Sequence, residues 1–157
     1  MLKWLWLSAL VLVFDQASKW LMSSWLSLYE TVAVMPFFNL TMAHNTGAAF
    51  SFLAQAGGWQ RWFFAVIAFV VSAVLFIWLK RLKSTAKLEA ISISLILGGA
   101  VGNLIDRVLL GYVVDFLDFY NYFGSYHFPA FNIADSAICV GAALLIIDSF
   151  RHKQEDA

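Results

Sequence analysis

The sequence predicts an all-α integral membrane protein of four transmembrane helices, and three observations carry that prediction. Of its 157 residues, 62% are hydrophobic and only 13% charged, for a mean hydropathy of +0.77. A soluble domain of this length has no use for so much apolar surface. Four stretches reach the roughly 20 apolar residues that cross a hydrocarbon core: Trp4–Leu26, Arg61–Leu79, Leu88–Leu110 and Pro129–Phe150. Finally, Lys3, Lys80, Arg81, Lys83, Lys87, Arg151 and Lys153 all flank one side of such a four-span chain, whereas 27–60 and 111–128 on the other side contain no Lys or Arg.

The first stretch follows Lys3 and so resembles a cleavable leader. It is longer than a typical leader core, carries Asp15 and Lys19, and lacks a small-residue cleavage site, so it reads as a retained helix. The basic flanks then place both termini in the cytoplasm and both long loops outside. Trp59, Trp62, Tyr112, Tyr120, Tyr122 and Tyr126 fall where an outer aromatic belt is expected. In the first loop, Phe38, Leu40 and Met42 alternate with Asn39 and Thr41, a weak strand signal. The small, polar run from Ala43 to Ser51 follows, and Gly57-Gly58 closes the loop. Few charges and many aromatics suggest that this segment lies on the membrane surface. No repeat, low-complexity tract or linker divides the chain, so 1–157 reads as one polytopic membrane domain.

Formal net charge is zero, and the few basic residues form no stripe with interleaved aromatics, so nothing supports nucleic-acid binding. The single cysteine, Cys139, excludes a disulfide within the chain and, lying in an apolar stretch, reads as a packing residue.

Acidic residues in or beside hydrocarbon are the sharper signal, because a carboxylate there is costly and marks a functional site by default. Asp115 comes just after the third span, with Gly111 offering a bend before it. Asp135 comes about six residues into the fourth, ~9 Å below its start at ~1.5 Å per residue. The two can therefore meet, and a close pair of carboxylates shares one proton. Elsewhere the structural reading is stronger. Asp15 and Lys19 lie one turn apart and suggest an internal pair, as do Asp148 and Arg151. Asp118 reads as a solvated or capping group. Arg107 cannot face its neighbour Asp106 and is free to reach another carboxylate or a substrate carbonyl. Gly98 and Gly102 form a small-xxx-small pattern for close helix packing. Asn103 and Asn132 need partners in lipid, which a catalytic carboxylate or a substrate backbone would supply.

Rival chemistries stay open at this level. Ser18 and Lys19 are adjacent and diverge on a helix, which disfavours a Ser–Lys dyad. Ser125 or Ser136 with His127 lacks a nucleophile-elbow pattern. Asp115 and Asp118 with His127 could take a divalent cation. Asp15, Asp106, Asp115 and Asp135 could instead form a proton or ion relay in a small transporter.

Five blocks, in order, resemble bacterial lipoprotein signal peptidase, also called signal peptidase II: Asp15-Gln16-Ala17-Ser18-Lys19, His44 to Ser51, Gly98 to Arg107, Val113-Val114-Asp115-Phe116 and Phe131 to Ser136. The resemblance implies an aspartyl endopeptidase of the bacterial inner membrane that cuts diacylglyceryl-modified prolipoproteins on the N-terminal side of the lipidated cysteine. On matching positions, Asp115 and Asp135 would be the catalytic pair. Asn45, Asn103, Arg107 and Asn132 would position substrate or shape the site, and Asp15, Lys19 and Asp106 would be structural polar residues. It also implies a small sheet-like cradle and a surface helix in the first outer loop, and inhibition by globomycin-type antibiotics. No metal or organic cofactor is required.

Overall fold

The computed structural model of the chain describes residues 1–47, 58–120 and 128–155. After a single 3-10 turn at Leu2–Trp4, helix α1 runs over Leu5–Trp25. Its buried residues are Ser8, Val11, Asp15, Lys19 and Met22, spaced by three and four and therefore on one face. Its exposed residues include Trp6, Val13, Phe14, Trp20, Leu21 and Trp25. Polar inside and apolar outside is the inverse of a soluble amphipathic helix, and it suits a helix whose outer surface meets lipid.

Three further helices are long and apolar enough to cross a membrane: α2 (Gln60–Arg81), α3 (Lys87–Leu109) and α4 (Ile133–Glu155). With 21 residues α1 has the length as well, but Ser8, Asp15, Gln16, Ser18 and Lys19 dilute its apolarity. The centre of the bundle is α3, with 56% of its apolar window buried against 22% for α2 and 17% for α4. The other three helices all pack on it.

Between helices in lipid there is little hydrophobic drive, so close van der Waals approach and polar contacts must supply the cohesion. The glycines of α3 allow that approach. A Cβ at Gly98 would lie 2.8 Å from the Ser8 carbonyl oxygen on α1, and one at Gly102 would lie 2.6 Å from Asp15 Oδ2. A Cβ at Gly99 would collide with the Ala134 carbonyl of α4. From the other side, a Cβ at Gly141 would come within 2.7 Å of the Ser92 carbonyl. The close packing expected of Gly98 and Gly102 is present.

One end of the bundle carries a three-stranded antiparallel sheet in the order β1-β2-β3, formed by Thr31–Met35, Phe38–Asn45 and Val113–Phe119. The small sheet-like cradle that the resemblance implies is thus present in a mostly helical chain, and its third strand is the segment holding Asp115, which is a strand rather than a loop. Met22 of α1 and Leu26 just after it pack against the sheet with Met42, Val114 and Phe116. The chain turns from α3 into β3 at Gly111, whose φ of +90° is the bend expected there. Arg61 seals that turn, donating from Nε to the Arg107 carbonyl (2.8 Å) and from Nη2 to the Val108 carbonyl (2.6 Å) at the open end of α3.

Helix α4 begins at Ile133, four residues later than the expected Pro129. Phe131 is held extended instead: its N–H donates to the Leu117 carbonyl (3.1 Å), and its own carbonyl accepts from the N–H groups of Phe116 (3.0 Å) and Leu117 (2.8 Å). Asp135 is consequently in the first turn of α4, not two turns below its start. Of the expected belt, Trp59 and Trp62 are exposed at the start of α2. Tyr122, Tyr126 and most of the segment assigned to a surface helix, including Ala48 to Ser51, lie outside the described residues.

Candidate active site

A charged knot ties α1 to the rest of the fold. Lys19 has three ammonium hydrogens and three acceptors: Asp15 Oδ2, Asp106 Oδ2 and Asn103 Oδ1, each at 2.9 Å. The expected pair of Asp15 with Lys19 is there, and Asp106 joins it. The carboxylates are used in turn, Asp15 Oδ1 accepting from the Ala134 N–H (2.9 Å) and Asp106 Oδ2 from the Val114 N–H (3.1 Å). Gln16 adds donors to Asp106 (2.9 Å), Asp15 (3.1 Å) and the Gly102 carbonyl (3.3 Å). One ammonium thereby holds α1, α3, β3 and α4 at a common level. A buried polar cluster of this kind is rigid because its members are satisfied.

The start of α4 is a reciprocal cap. Asn132 Oδ1 accepts from the Asp135 N–H (2.9 Å), while Asp135 Oδ2 accepts from the Asn132 N–H (3.2 Å). The remaining amide nitrogen of Asn132 donates to Asp115 Oδ1 at 2.7 Å, so one residue bridges the two carboxyl groups. Asn103 completes the frame, donating to Asp135 Oδ1 at 2.7 Å. Replacing Asn132 by Ala should cost about 1–2 kcal/mol in detergent unfolding for the lost cap. Asn132→Ser keeps a capping oxygen and should recover most of that; equal destabilisation by both would show that the cap is not what matters.

Asp115 Oδ2 accepts from Asn45 Nδ2 at 3.1 Å, and a break in β2 makes this possible. Leu40 pairs with Leu117 but Ala43 with Asp115, so Thr41 and Met42 together stand opposite Phe116. Asn39 before this bulge and Thr41 at its first position donate to Asp118 Oδ2 (3.3 and 2.9 Å). After it the alternation is reversed, and Asn45 shares a face with Asp115. Asp118 is therefore buried and hydrogen-bonded, not the solvated or capping group expected. Three residues from Asp115, it faces the opposite side of β3, so the two do not form a cation site.

Asp115 and Asp135 line one cleft of about 640 Å³ with Asn45, Asn103, Arg107 and Ser136. Arg107 donates to the carbonyls of Gly47 (3.1 Å) and Asn103 (3.3 Å), which aims its charge along the cleft wall rather than into one carboxylate. His44 lies at the edge, its ring stacked on Tyr112 at 3.8 Å, and burial lowers its pKa. Burial also pushes the Asp115 carboxyl up to about 7, helped by the negative charge of Asp135 and opposed by the amides of Asn45 and Asn132. Among the described residues, each of the four carboxyl oxygens of the pair holds one N–H donor, leaving lone pairs for a water or a substrate.

The rival groupings fare differently. The Ser18 hydroxyl donates to the Asp15 carbonyl and the Ser136 hydroxyl to the Asn132 carbonyl, both at helix-backbone distance. Ser125 and His127 lie outside the described residues. Cys139, read as a packing residue, is exposed at the cleft edge: on a membrane helix, apolar neighbours mark the lipid side as readily as the core. Sequence reasoning missed Gln16 and Arg61, although each is a polar residue in or beside an apolar span and so asked for a partner.

Comparison with known proteins adds the lineage. The family model described as Signal peptidase (SPase) II matches residues 7–151. The lipoprotein signal peptidase of Alteromonas mediterranea is 57% identical over 151 residues, covering 96% of this chain and 82% of that protein. That of Pseudomonas putida is 54% identical over 156 residues, covering 99% and 91%. A structure of a bacterial membrane enzyme solved by the in meso method superimposes with a TM-score of 0.87 at 34% identity, over 99% of this chain and 92% of the other. A second, also of a bacterial membrane enzyme, gives 0.79 at 36% over 92% and 90%. The chain belongs to the signal peptidase II family.

Proposed function

We propose that this peptidase removes the signal peptides of diacylglyceryl-modified prolipoproteins by aspartyl catalysis, with Asp115 and Asp135 as the catalytic pair, cutting N-terminal to the lipidated cysteine. The observation that best supports this is the shared frame: two carboxyl groups in one cleft, bridged by Asn132, with an N–H donor on each oxygen. The ionised member takes a proton from a water held between them. The protonated member donates to the scissile carbonyl as it becomes an oxyanion. The tetrahedral intermediate then collapses, the carbon–nitrogen bond breaks, and the cysteine nitrogen leaves with a proton. Asn45, Asn103 and Asn132 hold the carboxyl groups, and Arg107 is left to meet the substrate backbone. The chain acts as a single polytopic domain in the inner membrane, α1 being its fourth crossing, with both termini cytoplasmic and the cleft near the outer face. Lipid retains the acyl chains while the peptide enters, a membrane-supplied form of proximity. Globomycin-type inhibitors are expected to occupy the pair.

Cleavage of a diacylglyceryl-modified prolipoprotein by the purified chain, in the presence of a chelator, tests the proposal. Because Asp115 holds its proton up to about pH 7, the rate should fall above that as the shared proton is lost. A rate still climbing well beyond neutrality would assign the proton donor to another group. Asn132→Ser offers a further check: with the cap kept but the amide to Asp115 gone, cleavage should drop roughly 10²-fold in a folded enzyme.

A further inference from the structure

We infer that Lys19, which lies behind the cleft wall, is a positioning residue for the reaction: through the Asn103 amide it places the resting negative charge on Asp135 and leaves the proton on Asp115. The inference rests on the aspartyl reading above and concerns which member does what.

An amide side chain can face either way, but here both are fixed by groups that can only donate. Lys19 Nζ meets Asn103 at 2.9 Å and must face its oxygen, which turns the Asn103 nitrogen to Asp135. The Asp135 N–H meets Asn132 at 2.9 Å and must also face an oxygen, which turns the Asn132 nitrogen to Asp115 (2.7 Å) and to Asn103 Oδ1 (3.2 Å). Flipping Asn103 would set its NH₂ against the ammonium. Both carboxyl groups therefore receive amide donors, and the difference lies behind those donors.

The amide that serves Asp135 is polarised by an ammonium on its oxygen, and a chain of hydrogen bonds strengthens in that direction. Asp135 also takes the Asn132 N–H and sits in the first turn of a 23-residue helix, where unpaired N–H groups favour negative charge. Asp115 has neither advantage: it lies in a strand, 2% exposed, and among the described contacts its donors Asn45 and Asn132 are backed by the neutral N–H groups of Gly47 (3.0 Å) and Asp135. The raised Asp115 carboxyl agrees with this. Among the described residues the other charged or titratable groups around the pair are Asp15 on α1, His44 on β2, Asp106 and Arg107 on α3, and the Cys139 thiol on α4 at the cleft edge. Arg107 acts on both members and does not choose between them. The direct field of Lys19 is offset by Asp15 and Asp106, which leaves the polarity of Asn103 as what it transmits.

The test is the pH dependence of kcat and of kcat/KM for wild type, Lys19→Gln and Asn103→Ala, with helix content checked by circular dichroism. Glutamine can donate or accept, so it frees Asn103 to turn. The acidic limb of kcat should move up by about one pH unit, a tenfold loss on that limb, while activity at higher pH largely returns. A purely structural role would lower the rate evenly at all pH values. Should Lys19→Gln not fold, Asn103→Ala leaves the contacts of Lys19 with Asp15 and Asp106 intact and must show the same shift. An acidic limb that is absent or unmoved overturns the inference. Cleavage surviving in Asp115→Asn or Asp135→Asn, run alongside, would instead remove the aspartyl reading itself.

Discussion

Asp115→Asn and Asp135→Asn are each expected to lower prolipoprotein cleavage by roughly 10³–10⁴-fold while the enzyme remains folded, because each removes one half of the acid–base exchange and no third carboxyl group among the described residues lines the cleft. Asparagine keeps the shape and one acceptor oxygen, so the surrounding frame of Asn45, Asn103 and Asn132 still has a partner. The double variant should be little worse than either single one, since the pair works as a unit. Stability should respond with the opposite sign at Asp115. Its raised carboxyl means that the fold favours the neutral form; that contribution is complete below the unfolded value near 3.8 and is lost as pH rises through about 7. Asp115→Asn cannot lose it. The variant should therefore gain on wild type in unfolding temperature as pH is raised from about 4 to 7. A constant gap across that range would show that Asp115 is not held neutral by the fold. Cleavage within tenfold of wild type in either asparagine variant would end the aspartyl assignment.

Gly99→Val should be the most damaging substitution that touches no polar side chain. The space beside Gly99 belongs to the Ala134 carbonyl of α4 and to Ile138, where a Cβ would lie 2.8 Å from Cγ1. The contact is with backbone, so α4 itself must move. Overpacking of this kind costs about 1–3 kcal/mol or more. Ala134 immediately precedes Asp135, and its N–H is bonded to Asp15, so the displacement passes directly into the cap that aims the carboxylate. Stability in detergent and cleavage should fall together, the latter by at least about 10²-fold, as positioning errors near 1 Å do. A Gly99→Val enzyme with wild-type stability would mean that α3 and α4 are not locked here.

Much of this was legible in the sequence because membrane helices announce themselves by length. The helices α1, α2 and α3 fall within a residue or two of their expected limits. The asparagines were legible for a related reason: Asn103 and Asn132 stood in apolar surroundings and needed partners, and the carboxyl groups are those partners. The strands were harder. In β3, Val113, Val114, Asp115 and Phe116 are all buried, so no alternation of polar and apolar residues betrays two faces. In β1 nearly every position is exposed, with the same result. The late start of α4 could not be read because Pro129 is an acceptable first helical residue, and it is pairing with the distant Phe116 and Leu117 that holds Phe131 extended. The environment of Asp118 depends on Asn39 and Thr41, far off in the chain.

The extra residue in β2 has a consequence for engineering. Straightening it by substitution, with every residue kept, would slide β2 by one place so that Met42 paired with Asp115 and the ladder with β3 ran without interruption, and by the usual measures of a sheet this would be an improvement. It would also turn Asn45 to the face that serves Asp118. In this strand the most regular sheet and a supported Asp115 exclude each other. A search for thermostable variants that rewards regular pairing would therefore drift toward a sturdier protein that no longer cuts.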